Sequence, residues 1–389
     1  MISHGYFPTV SGVTLVVQRI SQAMVRRGHQ VTVIAGSERK IPYEDEDQGV
    51  HLVRVRSWPN PFWKEGPIPY ISPGDIKALA ARFQPDVIHI HENALLSYQL
   101  LRVKWDTRPP LVSSCYYVPL YVAHYLHFGK LVNWFEAQLW KYAVNNLNQF
   151  DHVVFCTRTH EQYFMAHGLQ VPTTVISNGV DTNRYRPLDG QDGNIEQRYA
   201  LPRKPRILFV GRLAKDKKID LLIQAISLVC AERPAHLVLV GRGDERASLE
   251  RLIRQLNMEK NVHLLGYVPE EDLPAIYRAS DLFAVASTVE VQNIPALQAV
   301  VTGLPIVAAN SAALPELVRD GENGYLVPPL DAQDLSAAIL RILNNPGDAR
   351  RMGQASLAIG QAHAADATFE AYENFYHRLA SHGSSTTRL

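Results

Sequence analysis

The chain reads as an α/β protein built from two doubly wound parallel sheets, one in each half. Two observations predict this. Short apolar runs that suit buried strands alternate with amphipathic helical stretches from one end to the other. A length of 389 residues is also enough for two domains of ordinary size.

The elements follow in order. Met1-Ile-Ser-His4 resembles the tail of a first strand, as if opening residues were missing. Val13 to Arg27 has a helical apolar stripe of Val13, Val16, Val17, Ile20, Ala23 and Met24, and Gly28 suits its stop. Further strands are expected at 31–35, 51–55, 87–90, 111–114, 152–156 and 174–176. The second half offers strands at 207–210, 237–240, 262–265, 282–286 and 306–309. The stretch 188–199, with Asp189-Gly-Gln-Asp-Gly193, looks like a linker. Helices are expected at 332–343 and 365–379, the last with Phe369, Tyr372, Phe375 and Tyr376 as a buried stripe, before a frayed tail from Ser381. The expected domains are therefore 1–187, 188–364 and a closing segment, 365–389.

Composition sets limits. The net charge is +1 and apolar residues make up 46% of the chain, which fits a globular protein and excludes a charge-driven nucleic-acid binder. Cys115, Cys156 and Cys230 form neither a zinc spacing nor a disulfide framework. No apolar run approaches the roughly 18–20 residues of a spanning helix, and no signal peptide is visible. The expected location is cytoplasmic, with room for peripheral contact at the inner membrane face.

Chemistry concentrates between Arg206 and Asp331. Ile207-Leu-Phe-Val-Gly-Arg-Leu213 is a buried strand bounded by Gly211, with Arg212 and then Lys217 beyond its carboxyl end, where parallel sheets bind ligands. Glu290-Val-Gln-Asn-Ile-Pro295 places a carboxylate before a helix start with Pro295 at its first position. The unpaired amides of such a start, with the dipole, hold anions. Two cations and a helix start make one plausible diphosphate site.

These segments, with Tyr6-Phe-Pro-Thr-Val-Ser-Gly-Val13, Arg27-Gly-His29, Pro85-Asp-Val-Ile-His89, Ile176-Ser-Asn-Gly-Val-Asp181, Gly266-Tyr-Val268, Leu314-Pro-Glu-Leu317 and Asp320-Gly-Glu-Asn-Gly324, resemble the retaining GT-B glycosyltransferases with a Glu-x7-Glu signature. The resemblance covers nearly the whole chain and is nearest to glycolipid synthases of glycosyltransferase family 4. It implies two Rossmann-like domains facing a cleft, with the closing helix returning to the first. It also implies transfer of a hexose from a nucleotide-diphosphate sugar with retention, without cofactor or bound metal. The acceptor would be a lipid, ahead of a small saccharide. On this reading Arg212 and Lys217 hold the diphosphate and Glu290 the sugar hydroxyls. Gly12, His91, Val268, Asn293, Ile294 and Gln298 line the substrates.

Three departures matter. The second signature Glu is Gln298, which accepts a hydrogen bond without charge. Asn293 also stands where Gly is usual, adding a side chain to an amide loop. In the first half, Tyr116, with Pro119 following, stands where the resembling enzymes carry a His. A phenol with a pKa near 10 is a poor base at neutral pH, and the nearby His124 is a weak substitute. Together these departures keep open the alternative of a degenerate binding or regulatory subunit.

Other patterns are read as bland. Gly241-Arg-Gly-Asp-Glu-Arg246 lacks the third Gly of a dinucleotide fingerprint. Asp45-Glu-Asp47 reads as a solvated loop. His89 and His91 have zinc-like spacing but no evident third ligand. The acceptor side rests on Trp58-Pro-Asn-Pro-Phe-Trp63 and on Tyr117, Tyr121, Tyr125, Phe128, Trp134, Phe135 and Trp140, which suit either a core or a greasy, membrane-facing cleft.

Overall fold

The computed structural model describes residues 1–9, 11–59, 67–91, 95–119, 132–187 and 193–383. Met1–Ser177 with Thr368–Leu389 form one compact unit, and Asn178–Ala367 form the other. The expectations for Asn60 to Trp63, Tyr121, His124, Tyr125, Phe128 and residues 188–192 lie outside the described residues.

In the first unit the strands are β1 (Ile2–Ser3), β2 (Thr32–Gly36), β3 (Tyr43–Asp47), β4 (Val50–Val55), a hairpin of β5 (Ser57–Pro59) and β6 (Pro67–Pro69), β7 (Ile88–Ile90), β8 (Leu111–Ser114), β9 (His152–Phe155) and β10 (Thr173–Val175). The main sheet runs β10-β9-β8-β7-β1-β2-β4-β3, parallel except where β3 joins β4. The chain lays β2 and β4 on one side of β1 and β7 on the other. Its order therefore reverses at β1/β7, and His91 follows directly after β7. Helix Gly12–Arg26 begins in a capping box: the Ser11 side chain accepts from Thr14 N, and Ser11 N donates to Thr14 Oγ1. Its apolar stripe packs under β2 and β4 with buried Tyr6.

The second unit holds β11 (Arg206–Val210), β12 (His236–Val240), β13 (Val262–Gly266), β14 (Leu282–Val285), β15 (Ile306–Ala309) and β16 (Gly324–Val327), all parallel in the order β13-β12-β11-β14-β15-β16. Alternate residues feed two cores. Leu208, Val210, Val238 and Val240 pack with helix Ile294–Thr302, while Ile207, Phe209, Leu237 and Leu239 pack with helices Ile219–Glu232 and Ala332–Asn344. Burial on both faces explains why these strands read as continuous apolar runs. Here the order reverses at β11/β14.

Some expectations need correction. Asp45-Glu-Asp47 is not a loop but part of edge strand β3, where charge is tolerated because one side of the ladder is unpaired. Asp47 is also not merely solvated: its Oδ2 accepts from Tyr6 (2.9 Å), Gln18 (2.9 Å) and Gln22 (2.8 Å). The end of the expected linker is folded. Ile195–Arg198 is a helical turn with Ile195 buried, and Tyr199 donates to Asp272 at 2.6 Å. The last helix, Ala365–Gly383, buries Phe369, Tyr372 and Phe375. Tyr376 is half-buried, and its hydroxyl lies 2.7 Å from His89 Nδ1.

The first unit buries neutral imidazoles, and this gives a pH prediction. Desolvation lowers His91 to about 3, with the positive N-terminus adding to it. It lowers His160 to about 4, against a hydrogen bond with the Tyr117 carbonyl. Unfolded, both protonate near pH 6.5. Between those values the unfolded state binds more protons, so their contribution is full above about pH 6.5 and falls as the solution is acidified. We expect the urea midpoint of the transition that unfolds this unit to drop from neutral pH toward pH 5, at about 1.4 kcal/mol per pH unit for each fully titrating imidazole. A flat profile over that range would overturn it.

Candidate functional site

Open α/β sheets bind ligands beyond the carboxyl ends of the strands where the order reverses. In the second unit that place lies after β11 and β14. Past β11 the backbone stays locked to its neighbour: Gly211 N donates to Val240 O, and Leu213 N to Arg242 O at 2.8 Å. Gly241 permits this approach, because a Cβ there would stand 1.9 Å from the Gly211 carbonyl oxygen, at a φ of +137°. The glycines of Gly241-Arg-Gly243 are thus packing glycines, and they hold the strand end that carries Arg212.

A short 3-10 turn, Lys215–Lys217, follows. Ser287, fully buried after β14, reaches across to it: its hydroxyl lies 3.1 Å from the carbonyls of both Asp216 and Val289. This staple brings the two loops together. Lys217 Nζ meets Glu290 Oε1 at 2.8 Å, with side chains only 19% and 7% exposed. Asp216 lies 3.5 Å from Lys217 and 3.6 Å from Arg212, whose side chain is 42% exposed. Burial works against the Lys217 charge, but Glu290 and Asp216 outweigh it and its pKa is raised. The ammonium therefore stays protonated at neutral pH.

Asn293 does not crowd an amide loop. Its backbone, at φ −81°, needs no Gly, and its side chain folds into two bonds. Oδ1 caps Ala296 N at 2.7 Å, and Nδ2 donates to Glu290 Oε1 at 2.9 Å. Glu290 thus receives both donors on Oε1, while Oε2 accepts from none of the described residues. The helix start is less rich in open amides than its sequence suggests. Pro295 has none, Ala296 N is capped, and Leu297 N bonds the Asn293 carbonyl. Ile294 is the remaining amide of that first turn.

Gln298 is buried one turn on, and its Oε1 takes the Tyr277 hydroxyl at 2.9 Å. The carbonyl oxygen expected to accept from a ligand already takes one hydrogen bond, and the amide beside it is a donor. Val268 sends its side chain into the core, so only its backbone is available to a substrate.

The other named residues lie in the first unit. Gly12 is the exposed first residue of its helix, and a Cβ there would meet nothing within 4 Å. His91 is buried, with Nδ1 3.0 Å from the Tyr116 hydroxyl and its ring stacked on that phenol. Burial and Tyr372 push the Tyr116 pKa well above the usual phenol range. The hydroxyl is a tethered hydrogen-bonding group, not a base. Asp216, Ser287 and Tyr277 were not foreseen. The polar Asp216 and Ser287 beside strand ends were the only hint, since their partners lie some 70 residues away.

Two family models divide the chain between them: Glycosyltransferase Family 4 matches residues 10–184, and Glycosyl transferases group 1 matches residues 192–358. The chain belongs to the GT-B glycosyltransferases. It is 28% identical over 385 residues to D-inositol 3-phosphate glycosyltransferase of Corynebacterium aurimucosum, covering 94% of this chain and 90% of that protein. It is 24% identical over 345 residues to alpha-monoglucosyldiacylglycerol synthase of Streptococcus pneumoniae, covering 87% and 76% respectively. In fold it is similar to Anabaena Alr3699/HepE, solved in complex with UDP, with a TM-score of 0.76, 21% identity and coverage of 97% and 99%. Two parallel-sheet α/β domains are what this glycosyltransferase fold requires.

The double use of Asn293 can be measured. Asn293→Ala removes the helix cap and the Glu290 donor together and should cost about 1 kcal/mol or more of second-unit stability. Asn293→Ser keeps a cap while losing the reach to Glu290, so its urea midpoint should fall between alanine and wild type. Equal midpoints for all three proteins would remove the side chain from this role.

Proposed function

We propose that this glycosyltransferase moves a hexose from a nucleotide-diphosphate sugar to a lipid acceptor, with retention of configuration and without a bound metal. The observation that carries the reading is the cluster at the β11/β14 reversal, where Lys217 pairs with buried Glu290 and both Lys217 and Arg212 flank Asp216. The two cations supply the positive charge that a leaving diphosphate needs, Arg212 as a fork and Lys217 as a point charge. With Oε1 held by Lys217 and Asn293, Glu290 Oε2 is left to accept from sugar hydroxyls. The departing phosphate oxygen takes the acceptor's proton, so the tethered Tyr116 is not required as a base. Gln298 offers an amide donor to the ribose, and Ile294 N and the Val268 backbone add close approach.

The lipid acceptor draws on surface composition. Among the described residues, exposed large apolar side chains number ten in the first unit and three in the second, and the first group includes Phe7, Trp58, Tyr70, Trp134 and Tyr142. A skew of this kind suits a face that meets an acyl chain or a membrane surface. No helix among the described residues is long and apolar enough to cross a membrane. The streptococcal relative's name points to a lipid product, and the solved UDP complex points to a uridine donor.

Arg212→Ala and Lys217→Ala should each lower turnover by roughly 10²–10³-fold, the scale of losing one transition-state donor. Glu290→Gln should abolish transfer while leaving UDP binding largely intact. The measurement is sugar transfer from UDP- and GDP-hexoses to diacylglycerol and inositol phosphate acceptors, with the anomer of the product read by NMR. An inverted anomer would refute retention. Wild-type levels in both cation variants would refute the site.

A further inference from the structure

The geometry points to a transition-metal site on the first unit, built from His29, Glu373 and His377, that binds Zn²⁺, Co²⁺ or Ni²⁺ and clamps the last helix to the end of the first. Glu373 and His377 stand four residues apart on helix Ala365–Gly383, so they share one face. His29 comes from the turn that ends helix Gly12–Arg26, where its amide bonds the Met24 carbonyl at 3.0 Å and fixes the backbone. One ligand atom from each residue can be chosen so that all three lie within 4.8 Å of one another. His29 Nε2 is 2.9 Å from Glu373 Oε1, and the two imidazole rings stand 5.3 Å apart.

The donor chemistry selects the ion. Two imidazoles and one carboxylate suit zinc, cobalt or nickel, whereas magnesium and calcium call for an all-oxygen set. Arg27 donates to Glu373 Oε2 at 2.7 Å, an outer hydrogen bond that orients the carboxylate and leaves Oε1 for the metal. His29 is half-buried and His377 is exposed, so an ion can enter from solvent and keep water in its remaining positions. The transferase cluster lies in the other unit, and this site has no part in the reaction proposed above.

The test uses the full chain freed of any purification tag. Co²⁺ titration should give a visible d–d band that saturates at one equivalent, and Zn²⁺ should displace it. Zn²⁺ should also raise the melting temperature, whereas Mg²⁺ and Ca²⁺ should not. His377→Ala, an exposed change that leaves the fold intact, should lose both the band and the shift, as should Glu373→Gln. His236→Ala and His263→Ala, in the second unit, should keep both. Absence of a Co²⁺ band in the wild type would overturn the site, as would an unchanged band in His377→Ala.

Discussion

The second unit is organised around one buried ion pair, Lys217 with Glu290. Removing two charges from water is costly, and a pair of this kind often contributes little net stability against apolar residues of similar size. Its retention makes sense as preparation for a ligand. Glu290 keeps Lys217 protonated and their bond fixes both side chains, so neither needs to reorganise when a charged substrate arrives. Everything nearby supports that pair: Ser287 joins the two loops, Asn293 adds a second donor to the same oxygen, and Gly241 lets the β11 and β12 strand ends run close together. Removing either partner alone would leave an unbalanced buried charge, so loss of folding has to be measured beside loss of activity.

The local charge count is balanced. Arg212 and Lys217 face Asp216 and Glu290, giving two cations against two carboxylates. On the proposed function, a diphosphate entering here would compete with Asp216 for both cations. Arg212 is the more exposed of the two, whereas Lys217 is held by a short bond to Glu290. On that reading the work would be divided between a more exposed fork and a buried point charge.

Much of the fold was legible because both faces of each main sheet are covered. Strands such as Ile207 to Val210 carry unbroken apolar runs, and the structure places β11 there with one further residue at its start. Charge hid β3, since an edge strand does not need the alternation by which strands are recognised. At the site, the identities of Arg212, Lys217 and Glu290 were visible but their pairing was not. Contacts across some 70 residues leave no local trace, which is why Asp216 and Ser287 escaped notice. Asn293 differs for another reason: its φ of −81° is open to any residue, and its side chain folds into two hydrogen bonds instead of crowding the loop.

The first unit solves a related problem with neutral groups. His89 links Ser114 of β8 to Tyr376 of the last helix, at 2.8 and 2.7 Å, and the neighbouring His91 holds Tyr116. Uncharged, an imidazole has one ring nitrogen that donates and one that accepts. Desolvation keeps both rings in that form. The network is thus directional, fastening a helix from the end of the chain to strands near its start, and it depends on protonation states that burial sets. Replacing Tyr116 with His would put a third imidazole beside two neutral ones, with a different set of donors and acceptors to satisfy. The phenol at this position is therefore better understood as part of how this unit holds its last helix than as the remnant of a lost base.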